Sequence, residues 1–348
     1  MDEILRLRGE IDSLNVEILS CLSKRAALAE SIGREKERLG LGVRDPEREE
    51  RQTAALLAGN RGPFSDDAIR KIFSVIYAES GRLQTPSGAL SAAGRGALSV
   101  DCGRGVFVGG GSRILIAGPC SVEGEAQIMG IAERLSGSGV RMLRGGAFKP
   151  RTSPYSFQGL GKRALELLSR AAAAFGMACV SEATSEENVD MVAEYCDVVQ
   201  IGARSMYNYP LLERAGRAGR PVLLKRHFSA TIRELLLAAE YVLNAGNPNV
   251  ILCERGIRTF ETATRNTLDV SSIPILKLET RLPVIADVSH SAGRKDIAAP
   301  LAAAALAAGG DGIMVEVHPD PESALSDSRQ QLTPSEFDAM VSAVRAFL

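Results

Sequence analysis

Apolar positions in the first forty residues follow a seven-residue repeat. Ile4, Ile11, Ile18 and Ile32 share one heptad position, and Leu7, Leu14 and Leu28 stand three residues further on. The pattern predicts one helix from Met1 to about Leu39. A helix of about 37 residues would be roughly 55 Å long, more than a module of about 85 residues can cover by itself. The seam therefore predicts packing against a second copy of the chain. Gly40 and Gly42 end that helix, and Asp45-Pro46 supplies the cap and first-turn proline of the next. Past the break at Gly62-Pro63, Ile69, Phe73 and Ile76 mark a third. Residues 85–99 are rich in Gly, Ala and Ser with little periodicity and read as a flexible tether. Val100 to Val108 alternates around Gly103 and Gly105, the pattern of a hairpin.

From Arg113 onward, short β-like runs alternate with helical stretches. The runs are Ile114–Ala117, Arg141–Arg144, Ala178–Ser181, Val198–Ile201, Pro221–Lys225, Val250–Cys253, Val284–Asp287 and Gly312–Glu316. Eight βα units predict an α/β (β/α)8 TIM barrel over residues 100–348, preceded by an all-α domain over residues 1–84. The functional site is then expected where the strands end, at the C-terminal mouth.

Polar residues interrupt the apolar faces of the helical module. Arg25 occupies the heptad position of the isoleucines, Ser80 and Gln84 continue the Ile69–Phe73–Ile76 stripe, and Arg8 and Lys36 flank the long seam. One long cation would snorkel to water. Several cations and two neutral hydrogen-bonding groups aimed into one bundle need a partner, because buried charge is costly. A small dianion would supply it.

The predicted strand ends carry two kinds of chemistry. Arg144, Lys149, Arg151, Arg204, Lys225, Arg226 and Arg255 fall at one mouth, a clamp for phosphate and carboxylate groups, with neighbouring glycines that let backbone amides approach an anion. Cys120, His290, Glu316 and Asp327 bring a thiol, an imidazole and two carboxylates to strand ends that are adjacent around a closed barrel. Mixed S, N and O donors suit a borderline divalent ion such as Mn2+, Fe2+, Co2+ or Zn2+. His318 competes with His290 as the nitrogen donor and ranks below it because it lies past Glu316 in the loop.

Composition narrows the partners. With a net charge of −1, the chain gives no reason to expect nucleic acid or an anionic membrane surface. No apolar run reaches the roughly 20 residues of a membrane span. The N-terminus opens on Asp2 and Glu3, unlike a signal peptide, and the six cysteines include no CxxC pair, so a cytoplasmic protein acting on small molecules is expected.

The helical module resembles the all-helical chorismate mutase family over residues 1 to about 84. Leu7-Arg8-x-x-Ile11-Asp12, Arg25-x-x-Leu28-Ala29, Ile32-Gly33-x-x-Lys36 and Val43-x-Asp45-x-x-Arg48-Glu49 carry the resemblance, together with Ser80 and Gln84. It implies conversion of chorismate to prephenate, with Arg8 from the other subunit and Arg25 on the substrate carboxylates. Lys36 and Gln84 would bond the ether oxygen, and Asp45, Arg48, Glu49 and Ser80 would complete the pocket. The rearrangement is intramolecular, so conformational selection and charge stabilisation suffice.

The barrel resembles 3-deoxy-D-arabino-heptulosonate 7-phosphate (DAHP) synthase, in the subgroup with a fused mutase module. The motifs are Ala117-Gly118-Pro119-Cys120-Ser121, Arg144-Gly145-Gly146-Ala147-Phe148-Lys149-Pro150-Arg151-Thr152-Ser153, Gln200-Ile201-Gly202-Ala203-Arg204, Leu252-Cys253-Glu254-Arg255-Gly256 and Glu316-Val317-His318-Pro319. This resemblance implies that Arg144, Lys149, Arg204, Lys225 and Arg255 grip phosphoenolpyruvate and that Arg151, Thr152 and Ser153 hold the sugar phosphate. Cys120, His290, Glu316 and Asp327 would bind the ion, Mn2+ ahead of Fe2+, Co2+ and Zn2+. Arg144, Lys149, Cys120 and His290 would carry catalysis, in a homodimer or homotetramer. The related synthase acting on arabinose 5-phosphate carries Asn-Arg-Thr where this chain has Pro150-Arg151-Thr152, which favours erythrose 4-phosphate as the aldehyde. His227, where glycine is common, and Val288, where proline is frequent, depart from the pattern. Three alternatives remain at this stage: a helical module that only dimerises or senses prephenate, a synthase for arabinose 5-phosphate or another longer sugar phosphate, and a non-catalytic scaffold.

Overall fold

The computed structural model describes residues 2–39, 46–84, 97–149 and 155–348. The chain divides into two compact units, Met1–Ala89 and Leu90–Leu348.

The first unit contains α1 (Asp2–Leu39), α2 (Pro46–Ala58) and α3 (Asp66–Gln84). Ala29 of α1 and Ser80 of α3 are buried where the two helices meet. Further toward the N-terminus the seam stays open, with Ile11, Leu14 and Ile18 at 56%, 55% and 56% exposure. A helix this long outruns the three-helix module, as its heptad pattern predicts.

The second unit opens with an antiparallel hairpin of β1 (Ser99–Asp101) and β2 (Phe107–Gly109), in which Val100 faces Val108. There follow β3 (Ile114–Gly118), α4 (Glu125–Gly137), β4 (Met142–Arg144), α5 (Lys162–Ala174), β5 (Ala178–Ala183), α6 (Glu186–Tyr195), β6 (Val198–Ile201) and α7 (Tyr209–Gly216). The remainder comprises β7 (Val222–Lys225), α8 (Ile232–Asn244), β8 (Val250–Glu254), α9 (Ser272–Glu279), β9 (Val284–Asp287), α10 (Val288–Ala292), α11 (Ala298–Ala307), β10 (Gly312–Glu316) and α12 (Pro334–Val344). Strands β3 to β10 form a closed parallel barrel in chain order, and β10 returns to β3 with Glu316 opposite Gly118.

Strand alternation divides the barrel into two cores. Leu115, Leu143, Val199, Leu224, Leu252, Ala286 and Val315 pack outward with the helices. Ile116, Met142, Val180, Leu223, Cys253, Ile285 and Met314 pack inward with Val100, Cys102, Val106 and Val108 of the hairpin. The hairpin also lies against the starts of strands: Leu98 N–H donates to the Arg281 carbonyl at 2.9 Å, and Arg104 pairs with Asp197 at 3.3 Å. It therefore closes the N-terminal end and leaves the opposite mouth as the accessible one.

Two capping boxes shape loops at that mouth. Thr231 with Glu234 starts α8 after the β7 loop, and Thr333 with Glu336 starts α12 after the long β10 loop. Each satisfies helix-start N–H groups reciprocally and fixes where its loop ends.

Candidate active site

Continuing each inward row by two residues brings polar groups to the mouth. Met142 leads to Arg144, Val180 to Glu182, Val198 to Gln200, Leu223 to Lys225, Cys253 to Arg255, Ile285 to Asp287 and Met314 to Glu316. Buried charges here bond across an intervening strand. Arg144 Nη1 donates to Glu316 Oε1 over β3, and Lys225 Nζ donates to Asp287 Oδ2 over β8. Glycine at 118 is required, because a Cβ there would meet the Arg144 carbonyl oxygen at 2.0 Å.

Arg226 corrects the seven-cation clamp. It follows the outward parity of Leu224, and its Nη1 bonds Glu254 at 2.9 Å and Asp269 at 2.8 Å. It is a structural ion pair behind the strand. Lys225 and Arg255 are buried at the mouth, Lys149 is half-buried, and Arg204 is exposed on the turn after β6. Arg255 Nη2 donates to the His290 carbonyl at 3.2 Å, and burial pulls its pKa down, with Asp287 opposing. Arg144 keeps its charge because Glu316 and neighbouring anions outweigh the effect of burial. Its Nε is buried without a hydrogen-bond partner among the described residues.

Cys120, His290, Glu316 and Asp327 converge, with donor atoms all within 4.8 Å of one another. An ion bound at about 2.0–2.3 Å from each donor would close that spread with small side-chain shifts. Cys120 Sγ lies 3.5 Å from Asp327 Oδ2 and receives the Lys149 ammonium at 3.0 Å. His290 Nε2 lies 3.5 Å from Glu316 Oε1 and 3.8 Å from Asp327 Oδ2. Burial pushes the Cys120 thiol up to about 11, with Glu316 and Asp327 acting in the same direction. Burial alone would raise Glu316 as well, but His290, Arg144 and Lys149 prevail and bring it to about 2. Two carboxylates, an imidazole and a thiol that loses its proton on binding fit a dication.

His290 is oriented by a residue for which the sequence reading assigned no role. Asp287 caps α10, accepting the His290 N–H at 2.9 Å through Oδ1 and bonding His290 Nδ1 at 2.8 Å through Oδ2. Its carboxyl lies well below the usual range, since His290 and Lys225 overcome the effect of burial. The spacing Asp-x-x-His at a strand end was the available signal: a helix cap that also faces the ring three residues on. Ser289 Oγ accepts the Glu316 N–H at 2.8 Å, and Gln331 Oε1 accepts the Cys120 N–H at 3.0 Å.

The remaining expectations resolve in place. His318 points elsewhere, with Nδ1 accepting the Asp320 N–H at 3.1 Å and Nε2 3.4 Å from Glu123. Val288 begins α10 fully buried in the outer core, a first-turn position where proline would also fit. His227 packs at a tilt against Phe228 and Tyr207, at centroid distances of 4.0 and 5.3 Å. Arg151, Thr152 and Ser153 lie outside the described residues, as does Asp45.

In the helical unit, Arg25 Nη1 donates to Ser80 Oγ, and its guanidinium lies 5.4 Å from the Tyr77 ring centre. The Tyr77 hydroxyl, missed in the sequence reading, is buried without a hydrogen-bond partner among the described residues. Lys36 and Glu49 are half-buried and Arg48 is exposed; the Gln84 side chain lies outside the described set. Arg8 is exposed on α1, roughly 25 Å along the helix from Arg25, so one chain does not bring the two arginines together.

Comparison with known proteins adds five findings. The family model described as DAHP synthetase I family matches residues 91–346, and that of chorismate mutase type II matches residues 7–85. Phospho-2-dehydro-3-deoxyheptonate aldolase of Thermotoga maritima is 56% identical over 240 residues, 69% of this chain and 71% of its own length. A 2-dehydro-3-deoxyphosphooctonate aldolase of Geotalea uraniireducens is 34% identical over 259 residues, 68% of this chain and 93% of its own. The crystal structure of the Thermotoga maritima heptonate aldolase matches with a TM-score of 0.70 at 54% identity, covering 72% of this chain and 73% of that one.

Proposed function

This chain belongs to the DAHP synthetase I family, with a chorismate mutase type II domain ahead of the barrel; it is a transferase that joins phosphoenolpyruvate to erythrose 4-phosphate, and we propose how its residues do so. The observation that carries the assignment of roles is the shared inward parity of Arg144, Lys225 and Arg255 beside the Cys120–His290–Glu316–Asp327 cluster. Arg144, Lys149, Arg204, Lys225 and Arg255 hold the phosphate and carboxylate of phosphoenolpyruvate, and the unpartnered Arg144 Nε is one donor awaiting it. Arg151, Thr152 and Ser153 hold the sugar phosphate. Cys120, His290, Glu316 and Asp327 would hold a divalent ion, Mn2+ by our reading, which would supply Lewis-acid chemistry at the aldehyde. The cationic clamp fixes two mutually repelling anions at bonding distance. The terminal carbon of the enol phosphate then attacks the aldehyde carbon; water adds to the resulting cationic carbon and its proton goes to the former aldehyde oxygen; phosphate leaves by C–O cleavage as the new hydroxyl loses its proton and becomes the ketone. The four-carbon aldehyde is favoured by the higher identity to the heptonate than to the octonate aldolase.

The helical domain is an isomerase module, and Arg25, Ser80 and the unpartnered Tyr77 hydroxyl line its substrate pocket. Arg8 enters that pocket from a second copy, which packs along the exposed α1 seam in a homodimer or homotetramer. Chorismate is rearranged there, and prephenate in the same pocket signals back to the synthase. The unpaired cysteines suit the reducing cytoplasm, and among the described residues no helix is long and apolar enough to cross a membrane.

Loss of phosphoenolpyruvate, followed by ultraviolet absorbance, tests the synthase reading. Loss with erythrose 4-phosphate but not arabinose 5-phosphate, abolished by EDTA and restored by Mn2+, is expected; turnover untouched by complete metal removal would overturn the metal role. Removing residues 1–90 should abolish prephenate inhibition and leave synthase activity. Inhibition that persists would refute the sensing role.

A further inference from the structure

Glu316 ends a strand, whereas Asp327 sits in the loop after it with φ of 46°, a left-handed conformation that a residue with a Cβ adopts when its surroundings hold it there. Its side chain is met from a distant segment. Arg265 lies in the excursion between β8 and α9, and its Nη1 is 3.7 Å from Asp327 Oδ2 and donates to Gln330 Oε1 at 3.1 Å. Gln330 is buried and turns its Nε2 to Glu316 Oε2 at 2.5 Å. The amide orientation follows from its partners, since guanidinium only donates and carboxylate only accepts. One chain of contacts, Asp327–Arg265–Gln330–Glu316, thus links the two carboxylates assigned above as ligands.

The seat of Arg265 is equally specified. Its side chain crosses Gly293, where an added Cβ would lie 2.5 Å from the Arg265 Cβ. Arg265 N–H donates to the Ala292 carbonyl at 2.8 Å and Asn266 N–H to the Ser291 carbonyl at 2.9 Å, stitching the excursion to the turn that follows His290. Asn266 Nδ2 also donates to the His290 carbonyl, at 3.2 Å. Charge points the same way. A thiolate and two carboxylates exceed the charge of a dication by one, and each carboxylate has a guanidinium beside it, Arg144 on Glu316 and Arg265 on Asp327.

We infer that Arg265 is a positioning residue for the metal centre: it holds Asp327 in its left-handed conformation and, through Gln330, sets the separation of Asp327 and Glu316. Divalent-ion affinity then depends on a guanidinium that need not touch ion or substrate. The inference rests on the four-ligand reading, and the test separates the two. Full-length protein, stripped by chelation, is titrated with Mn2+ against a competing indicator and with Co2+ while its thiolate-to-metal absorption band is recorded. Arg265→Ala should raise the dissociation constant about 10–100-fold, alter the cobalt spectrum, and recover turnover number at saturating Mn2+. Arg265→Lys keeps the packing over Gly293 and should also weaken binding, because one ammonium is a poor bridge between Asp327 and Gln330; it serves as the reading if the alanine variant does not fold. Wild-type binding with a thiolate band, matched within twofold by a folded Arg265 variant, would overturn the inference alone. Absence of the thiolate band in the wild type would overturn the four-ligand reading beneath it.

Discussion

Replacing Asp287 by asparagine removes one charge and almost no volume from the centre of the mouth. The carboxylate is fully buried, bonds Lys225 and His290 Nδ1 through Oδ2, and accepts the His290 N–H through Oδ1. His290 and Lys225 hold its carboxyl well below the usual range against the effect of burial. Asparagine retains one acceptor and leaves the Lys225 ammonium buried beside a neutral amide. Removing one partner of a buried pair costs roughly 3–5 kcal/mol, and the retained hydrogen bond places this substitution near 3 kcal/mol. For a domain of this size that is a fall in melting temperature of roughly 6–12 °C. The His290 ring also loses the acceptor that turns Nε2 toward Glu316 and Asp327, so ion affinity should fall about 10–100-fold. Scanning calorimetry of the chelated protein reads the first effect and a Mn2+ titration the second. A metal-free melting temperature within about 2 °C of wild type would show that the Lys225–Asp287 pair is not the buried, coupled pair argued here.

Glu316 has its pKa lowered from 4.5 to about 2, so its contribution to stability is complete above pH 4.5 and is lost as pH falls toward 2. That loss amounts to about 3 kcal/mol in the metal-free protein, and denaturant midpoints measured between pH 5 and 2.5 should decline less steeply in Glu316→Gln. Gly118→Ala forces a Cβ to within 2.0 Å of the Arg144 carbonyl oxygen at a φ of +149°. Since the obstruction is backbone, the variant should lose roughly 3 kcal/mol in urea unfolding; unchanged stability would contradict the register of β3 and β4. The metal-free Cys120 thiol titrates near 11, so ion binding at pH 7 to 9 must expel its proton. Apparent Mn2+ affinity should therefore rise about tenfold per pH unit in that range, and a Cys120→Ser variant should lose most of its binding.

Much of this site was legible along the chain. The heptad positions of Ile4, Ile11 and Ile18 announced a helix longer than its module, and they are exposed as that reading requires. The barrel strands begin and end within two residues of their predicted limits, because short, nearly continuous apolar runs bounded by glycine and polar residues are local properties. The four proposed metal-binding residues stood out as chemically matched groups at strand ends. Arg226, Asp287, Gln330 and Arg265 were not legible in the same way. Arg226 was placed in the clamp, although its parity with Leu224 turns it outward to Glu254 and Asp269.

Local sequence therefore determined where each strand runs and that its alternate residues face opposite sides, while which parity faces the lumen followed from closure, because both sides are apolar. Which charges pair there was decided only when β10 closed on β3, bringing Cys120 beside Glu316 and Arg144 across to it. Asp287 meets Lys225 over an intervening strand, and Arg265 meets Asp327 between loops 62 positions apart, 327 minus 265. Those partners are set by barrel closure and stagger, quantities that belong to the whole sheet and are written in no single segment.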